Sequence, residues 1–159
     1  MSTPRDDRAA RRTPLPQARS DALQTWLKLA RVHQKVQRQL DRLLDDCGLT
    51  LPQFDVLANL GMSEGITQQE LAERLLVTKG NVCGLLDRME SAGWVKRTPS
   101  SDDRRANRIH LTPRGRTALQ SAFPVHLGLI QRCLAPLSSV DQARLNDLLT
   151  KIESHDCDS

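Results

Sequence analysis

A short polar loop in the second half of the chain carries two arginines that could bind a polyanion. Residues 99–105 read PSSDDRR, so Asp103 is followed directly by Arg104 and Arg105. An arginine at the tip of a thin hairpin can enter the minor groove of duplex DNA, where the electrostatic potential is most negative. The competing interpretation is a solvated charge cluster in a surface turn, and the residues upstream favour the first.

A candidate recognition helix precedes this loop. Its apolar residues Val82, Leu85, Leu86 and Met89 recur at i, i+3, i+4 and i+7, the spacing of one buried helical face. The opposite side carries small or polar residues that let a DNA backbone approach, and free N–H groups at the helix start favour a phosphate. The residues predicted to contact DNA are Thr78, Lys79, Gly80, Asn81, Cys83, Gly84, Arg88, Asp103, Arg104, Arg105 and Arg108.

Two short helices and two strands are predicted to position these side chains. A capping-box pattern at 67–70 starts the first helix, and Thr78 is the expected N-cap of the second. The first helix is expected to bury Leu71, Leu75 and Leu76. Two helices joined by such a short turn form a helix-turn-helix, whose second helix can enter a major groove. Strands predicted at 94–98 and 107–111 flank the charged loop and form a hairpin.

Longer amphipathic helices surround this central part. Apolar residues at 3–4 spacing predict a helix over 21–46, roughly 39 Å long at 1.5 Å per residue. A shorter helix follows over about 51–61. Another begins at Pro113, with Pro124 as an internal kink, and the last apolar stripe lies within 138–152. One small lobe cannot cover so much apolar surface, so the sequence predicts a homodimer.

Composition and charge restrict the class of function. The net charge is +4, and residues 66–116 alone hold ten basic and six acidic side chains, which fits a polyanionic partner. The longest apolar runs are only a few residues and no segment resembles a signal peptide, so a cytoplasmic protein without a membrane span is expected. Phosphate-loop, nucleophile-elbow and metal-ligand patterns are absent, so the sequence predicts no enzyme activity, no catalytic residue, no cofactor and no metal.

RNA binding is the main alternative to duplex DNA. Sequence-specific RNA readers usually stack bases on aromatic side chains. Aromatic residues make up 3% of this chain, with no Tyr and two Phe, and the candidate recognition helix has none. A dimerisation protein that has lost DNA binding is a further alternative, but it would not need Arg104 and Arg105. Double-stranded DNA is therefore the predicted partner.

Five segments carry a resemblance to a known family. They are LPQFDVL at 51–57, TQQELAERL at 67–75, NVCGLLDR at 81–88, GWV at 93–95 and DDRRANRIHLTPRG at 102–115. Together they resemble the multiple-antibiotic-resistance regulator (MarR) family over about residues 21–153. The resemblance implies a mainly α winged helix-turn-helix with a small two- to three-stranded β-wing. It implies a DNA-binding lobe at about 50–112 and long N- and C-terminal dimerisation helices at about 21–47 and 113–153.

The resemblance also implies a mode of action. It implies an obligate homodimer on a palindromic operator, acting as a repressor that a small aromatic or phenolic ligand releases. Within the wing, Asp103 is expected to help position Arg105. Residues 1–20, with five basic and two acidic side chains, lie outside the resemblance and are expected to be a disordered tail. Residues 154–159 are expected to be a flexible tail.

Two modes of control are consistent with the sequence. The candidate ligand-binding residues are Trp26, Arg31 and His33 on the first long helix, although packing is the alternative role for Trp26. Thiol-based redox control is the alternative to a ligand. The cysteines at 47, 83, 133 and 157 lack C-x-x-C spacing and indicate reduced thiols. Cys83 alone lies on the predicted DNA-facing side, where an oxidised adduct would meet DNA.

Overall fold

The computed structural model describes residues 20–100 and 107–156. Within these residues it has six α-helices and one three-stranded antiparallel sheet, as the expected fold class requires. The elements are α1 (Asp21–Asp45), α2 (Leu51–Met62), β1 (Ile66–Thr67), α3 (Gln68–Arg74), α4 (Lys79–Ser91), β2 (Val95–Pro99), β3 (Asn107–Leu111), α5 (Pro113–Leu134) and α6 (Ser139–Glu153). None of the described helices is long and apolar enough to cross a membrane.

Internal contacts divide the chain into two compact units, residues 1–35 and 36–159. In the first unit, the described residues form the start of α1, and all except the half-buried Ala30 are exposed. The second unit contains the hydrophobic core. Its largest fully buried side chains are Leu44, Phe54, Leu57, Leu60, Leu71, Leu86, Met89 and Ile109. The core thus combines the end of α1 with α2, α3, α4 and the sheet.

Reciprocal side-chain caps start α3 and α6, and the cap of α3 lies where the sequence predicts it. At α3, the Glu70 N–H donates to Thr67 Oγ1 over 3.2 Å, and the Thr67 N–H donates to the Glu70 carboxylate over 2.6 Å. That backbone hydrogen bond is the main reason why the pKa of Glu70 lies below its usual value. Ser138 and Asp141 form the same reciprocal pair at the start of α6. Both helices therefore begin at residues that satisfy free N–H groups.

The sheet has the strand order β1-β3-β2. β2 and β3 form the predicted hairpin, with Val95 paired to Leu111 at its base. β1 pairs with the other side of β3, where Ile66 lies opposite Ile109. β3 has its predicted bounds, and β2 begins and ends one residue later than the predicted 94–98. The sheet therefore joins the hairpin to the start of α3.

The expectation that Leu76 is buried is wrong. Its side chain is 93% exposed and its φ is +53°. The Leu76 N–H donates to the Glu73 carbonyl and the Val77 N–H donates to the Ala72 carbonyl, each over 3.1 Å. This Schellman arrangement closes α3 and holds the residue after the C-cap in the left-handed region. The conformation of the turn, rather than hydropathy, decides where Leu76 lies.

Candidate nucleic-acid interface

One side of α4 presents the residues that were predicted to contact DNA. Val82, Leu86 and Met89 are at most 1% exposed and define the inner side. On the outer side, Thr78, Lys79, Gly80, Asn81, Cys83 and Arg88 are exposed, and Gly84 is half-buried. A Cβ added to Gly80 would meet no atom within 4 Å. The outer surface at the start of the helix is therefore open to a large partner.

The connection between α3 and α4 fixes the start of this surface. The Asn81 N–H donates to Thr78 Oγ1 over 3.4 Å, which caps α4 as predicted. Gln68 Nε2 on α3 donates to the Lys79 carbonyl over 3.4 Å and links the two helices. The pair forms a helix-turn-helix whose second helix has its positive dipole end at the open surface.

An arginine on β2 that sequence reasoning missed contacts α4 from the side. Arg97 lies 2.7 Å from the Asp87 carboxylate and 2.8 Å from the Glu90 carboxylate. Its Nη2 also donates to the Cys83 carbonyl over 3.4 Å. Burial opposes the charged guanidinium, but the bonds to Asp87 and Glu90 outweigh this and raise the pKa of Arg97 above its usual value. No sequence pattern marks the contact, because it depends on how β2 packs beside α4.

Two polar side chains of β3, Arg108 and His110, are half-buried against the rest of the sheet. Arg108 is half-buried, with Nη1 donating to the Gly65 carbonyl over 2.8 Å and Nε donating to Ser100 Oγ over 3.3 Å. These bonds join β3 to the segment before β1 and to the residue after β2, so Arg108 supports the sheet. Its contact with DNA stays a prediction. His110, half-buried on the same strand, lies 3.1 Å from Thr98 Oγ1. The predicted residues Asp103, Arg104 and Arg105 lie outside the described residues.

Comparison with known proteins decides the family. A sequence model of the MarR family matches residues 48–106. The HTH-type transcriptional regulator PecS of Dickeya dadantii (strain 3937) is 31% identical over 130 residues, which cover 80% of this chain and 78% of PecS. The chain belongs to the MarR family.

Two solved structures share the architecture of this MarR-family chain. A mutant MarR from E. coli complexed with operator DNA is 31% identical, with a TM-score of 0.76, over 82% of this chain and 94% of that one. The transcriptional repressor CouR, bound to a 23-mer DNA duplex, is 29% identical, with a TM-score of 0.72, over 79% of this chain and 89% of that one. The winged helix-turn-helix fold is therefore confirmed, and the protein is a MarR-family transcriptional regulator rather than an enzyme.

The candidate ligand residues of this MarR-family chain lie on the first part of α1. Trp26, Arg31 and His33 are all exposed, and Trp26 is 62% exposed. Their exposure leaves them free to contact a ligand or a second subunit. Their role as ligand contacts stays a prediction.

A cavity of about 650 Å³ between α2 and α5 was not anticipated from the sequence. Its apolar lining includes Phe54, Ala58, Met62, Leu119, Phe123 and Pro124. The rings of Phe54 and His126 stack with centroids 4.6 Å apart. Burial raises the pKa of the Asp55 carboxyl and lowers that of the His126 imidazole, so it favours the neutral form of each. The lining comes from two helices distant in sequence, which is why spacing along the chain gave no signal.

A second cavity, of about 510 Å³, lies beside the recognition helix. It is lined by residues of α4 that include Gly80, Gly84 and Arg88, and by Pro52 and Asp55 of α2. Asp55 lines both cavities, and among the described residues no hydrogen bond or ion pair engages its carboxylate. Asp55 thus borders both the α2–α5 cavity and the space beside α4.

Proposed function

We propose that this regulator is a repressor that binds a palindromic operator as a homodimer, with α4 in the major groove and the wing in the adjacent minor groove. The proposal rests on the open outer side of α4, where small and polar residues surround the N-terminus that Thr78 caps. A two-fold symmetric dimer requires symmetric half-sites, about 10 base pairs apart. The DNA complexes of the E. coli MarR mutant and of CouR support this use of the fold.

Selection of bound duplexes from a random pool tests the proposal. The selected sites should be palindromic, and binding should weaken roughly 10³–10⁵-fold between 50 and 200 mM salt if the dimer neutralises about 6–10 phosphates. A flat salt response, or preference for single-stranded RNA, would contradict the proposal.

Arg105→Ala tests the predicted wing contact. We expect a loss of about 1–3 kcal/mol of binding free energy per half-site. The melting temperature should change little, because substituting a residue that the sequence predicts to lie in a surface loop should cost within about 0.5 kcal/mol. Arg42→Ala, which removes an exposed charge near the end of α1, is the matched control and should retain affinity. Normal operator binding by Arg105→Ala would leave recognition to α4 alone.

A small aromatic or phenolic effector is proposed to occupy the α2–α5 cavity. The apolar lining suits an aromatic ring, and the unengaged Asp55 carboxylate can accept a hydrogen bond from a phenolic O–H. A bound carboxylate would instead face Asp55, and no basic side chain other than His126 lines this cavity among the described residues. Because Asp55 also lines the cavity beside α4, the ligand would lie one side chain away from the recognition helix.

Matched probes distinguish this cavity from the candidate residues on α1. We expect 4-ethylphenol to raise the melting temperature and weaken operator binding, and 4-ethylbenzoate to do neither. Asp55→Ala should abolish the response to the phenol. A response that survives in Asp55→Ala but is lost in Trp26→Ala or His33→Ala would place the ligand at α1 instead.

Thiol-based control is the second candidate, and the exposure of Cys83 on the outer side of α4 favours it. Oxidation there would place a polar adduct against DNA. If peroxide weakens operator binding, Cys83→Ser should remain bound under the same treatment. A loss of binding that persists in Cys83→Ser would exclude this thiol.

A further inference from the structure

Arg97 of β2 pairs with two carboxylates of α4. We propose that Arg97 is a positioning residue: it holds the wing against the recognition helix and neutralises two carboxylates of that helix. The inference rests on the proposed DNA-binding function. It concerns a residue of β2 that does not belong to the predicted contact set.

The geometry restrains Arg97 at both its backbone and its side chain. The Arg97 N–H donates to Glu90 Oε1 over 2.9 Å, and Nη1 donates to Glu90 Oε2 over 2.8 Å. Nη2 pairs with Asp87 at 2.7 Å and reaches the Cys83 carbonyl at 3.4 Å. A carboxylate that holds both ends of one residue fixes the strand as well as the side chain. The wing strand is thereby attached to the helix over more than one turn, from Cys83 to Glu90.

The position of Asp87 shows why this attachment matters for a polyanion. Its side chain is 60% exposed, and it follows Cys83 by one helical turn and directly precedes Arg88. An unpaired Asp87 carboxylate at this place would repel DNA phosphates. An unpaired Glu90 carboxylate would repel them less, because its side chain is only 39% exposed. Arg97 supplies the opposite charge within hydrogen-bond distance of both. The interaction therefore removes a repulsive element from the recognition helix.

A direct phosphate contact by Arg97 fits the structure less well. Its side chain is only 18% exposed, and both terminal nitrogens are engaged by Asp87 and Glu90. A guanidinium bound to two carboxylates has little remaining positive potential to offer a third anion. Lys96, which precedes it on β2, is exposed and suits that role better.

A double-mutant cycle separates the two roles. In the full-length dimer, Arg97→Met keeps an unbranched apolar stem and removes the charge, and we expect it to weaken operator binding roughly tenfold to hundredfold. In the Asp87→Asn/Glu90→Gln background the same change should cost less than threefold, because the carboxylates that Arg97 neutralises are gone. An equal loss in both backgrounds would mean that Arg97 contacts DNA directly and would overturn the inference.

A readout without DNA distinguishes failure of the inference from failure of the proposed function. Amide hydrogen exchange over 95–99 should become faster in Arg97→Met, because the wing strand loses its attachment to α4. Arg97→Lys, which keeps one charge but not the two-carboxylate geometry, should give intermediate affinity and intermediate exchange. If Arg97→Met changes neither exchange nor affinity, Arg97 is not a positioning residue. If the unmodified protein selects no duplex, the proposed function fails, and the exchange result still decides whether Arg97 holds the wing.

Discussion

Leu76 shows how a single backbone conformation can override side-chain chemistry. Its φ of +53° costs an L-residue about 1–2 kcal/mol. Because its side chain is exposed, that side chain adds little to the free energy of unfolding. We therefore expect Leu76→Gly to stabilise the protein by about 1 kcal/mol in urea unfolding without DNA. Val77→Gly is the matched control and should destabilise, because Val77 is outside the left-handed region. A stability loss in Leu76→Gly would show that its side chain is packed after all.

The raised pKa of Asp55 should make the stability of the protein depend on pH. Its pKa is raised by burial in the folded state, so its contribution favours folding at low pH and diminishes as pH rises from about 4 through the folded-state value. Asp55→Asn removes the charged form and should raise the melting temperature at pH 7. The gain should vanish near pH 3, where the native carboxyl is already neutral. Asp46→Asn, at an exposed turn position, is the control and should show no such trend.

Sequence reasoning identified individual residues where their role depends on near neighbours. The Thr78 cap and the Thr67 to Glu70 pair follow from spacings of three residues, and the structure has both. Arg97 was missed because its partners come from another element, and Leu76 was misplaced because hydropathy does not encode φ. Spacing predicts local hydrogen bonds, but contacts between elements require the packing.

The close approach of α5 to the base of the wing positions the β2–β3 hairpin. The Thr112 N–H donates to the Trp94 carbonyl over 3.0 Å, and Thr112 Oγ1 donates to the Gly93 carbonyl over 2.6 Å. A Cβ added to Gly115 would lie 2.0 Å from the Trp94 carbonyl oxygen. Only glycine fits here, so Gly115 in the first turn of α5 sets the distance between this helix and the base of the wing.

Alanine substitutions of two glycines should therefore have opposite effects. Gly115→Ala must displace backbone and should cost about 1–3 kcal/mol of unfolding free energy. Gly80→Ala meets no atom within 4 Å and should gain about 0.5–1 kcal/mol, because alanine is the better helix residue. If α4 approaches DNA closely, Gly80→Ala should also weaken operator binding while the protein becomes more stable. Unfolding curves and binding isotherms of the two variants check this, and equal stabilities would contradict it.

The elements themselves were predictable to within a residue or two where caps and periodicity agree. β3 and the start of α5 are at their predicted positions. β1 has only two residues and its pairing partner Ile109 is distant in sequence, so neither periodicity nor a turn signal could reveal it. The α2–α5 cavity could not be predicted for a similar reason, because it exists only once two helices that are distant in sequence pack together.

The apolar surface of α6 is exposed to solvent in the single chain. None of its residues is buried, and Val140, Leu148 and Ile152 are 74%, 49% and 57% exposed. Burying such side chains is worth about 25 cal/mol per Å² of apolar area. We therefore expect a second subunit to cover the exposed apolar face of α6.

Charge substitutions on α6 test this interpretation together with the proposed function. Leu148 and Ile152 are four residues apart on one helical face, so Leu148→Asp/Ile152→Asp places two carboxylates in the expected interface. Sedimentation velocity should then show a monomer, and Asn146→Asp, which adds one charge two residues away from Leu148, should remain dimeric.

The monomer should also bind the operator more weakly. Because it contacts only one half-site and loses the affinity gained from two linked DNA-binding lobes, its operator affinity should fall at least about 10²-fold. A double variant that stays dimeric would exclude this face of α6 from the interface. One that is monomeric yet binds with full affinity would instead show that a single α4 and wing are sufficient, and the palindrome would no longer be required.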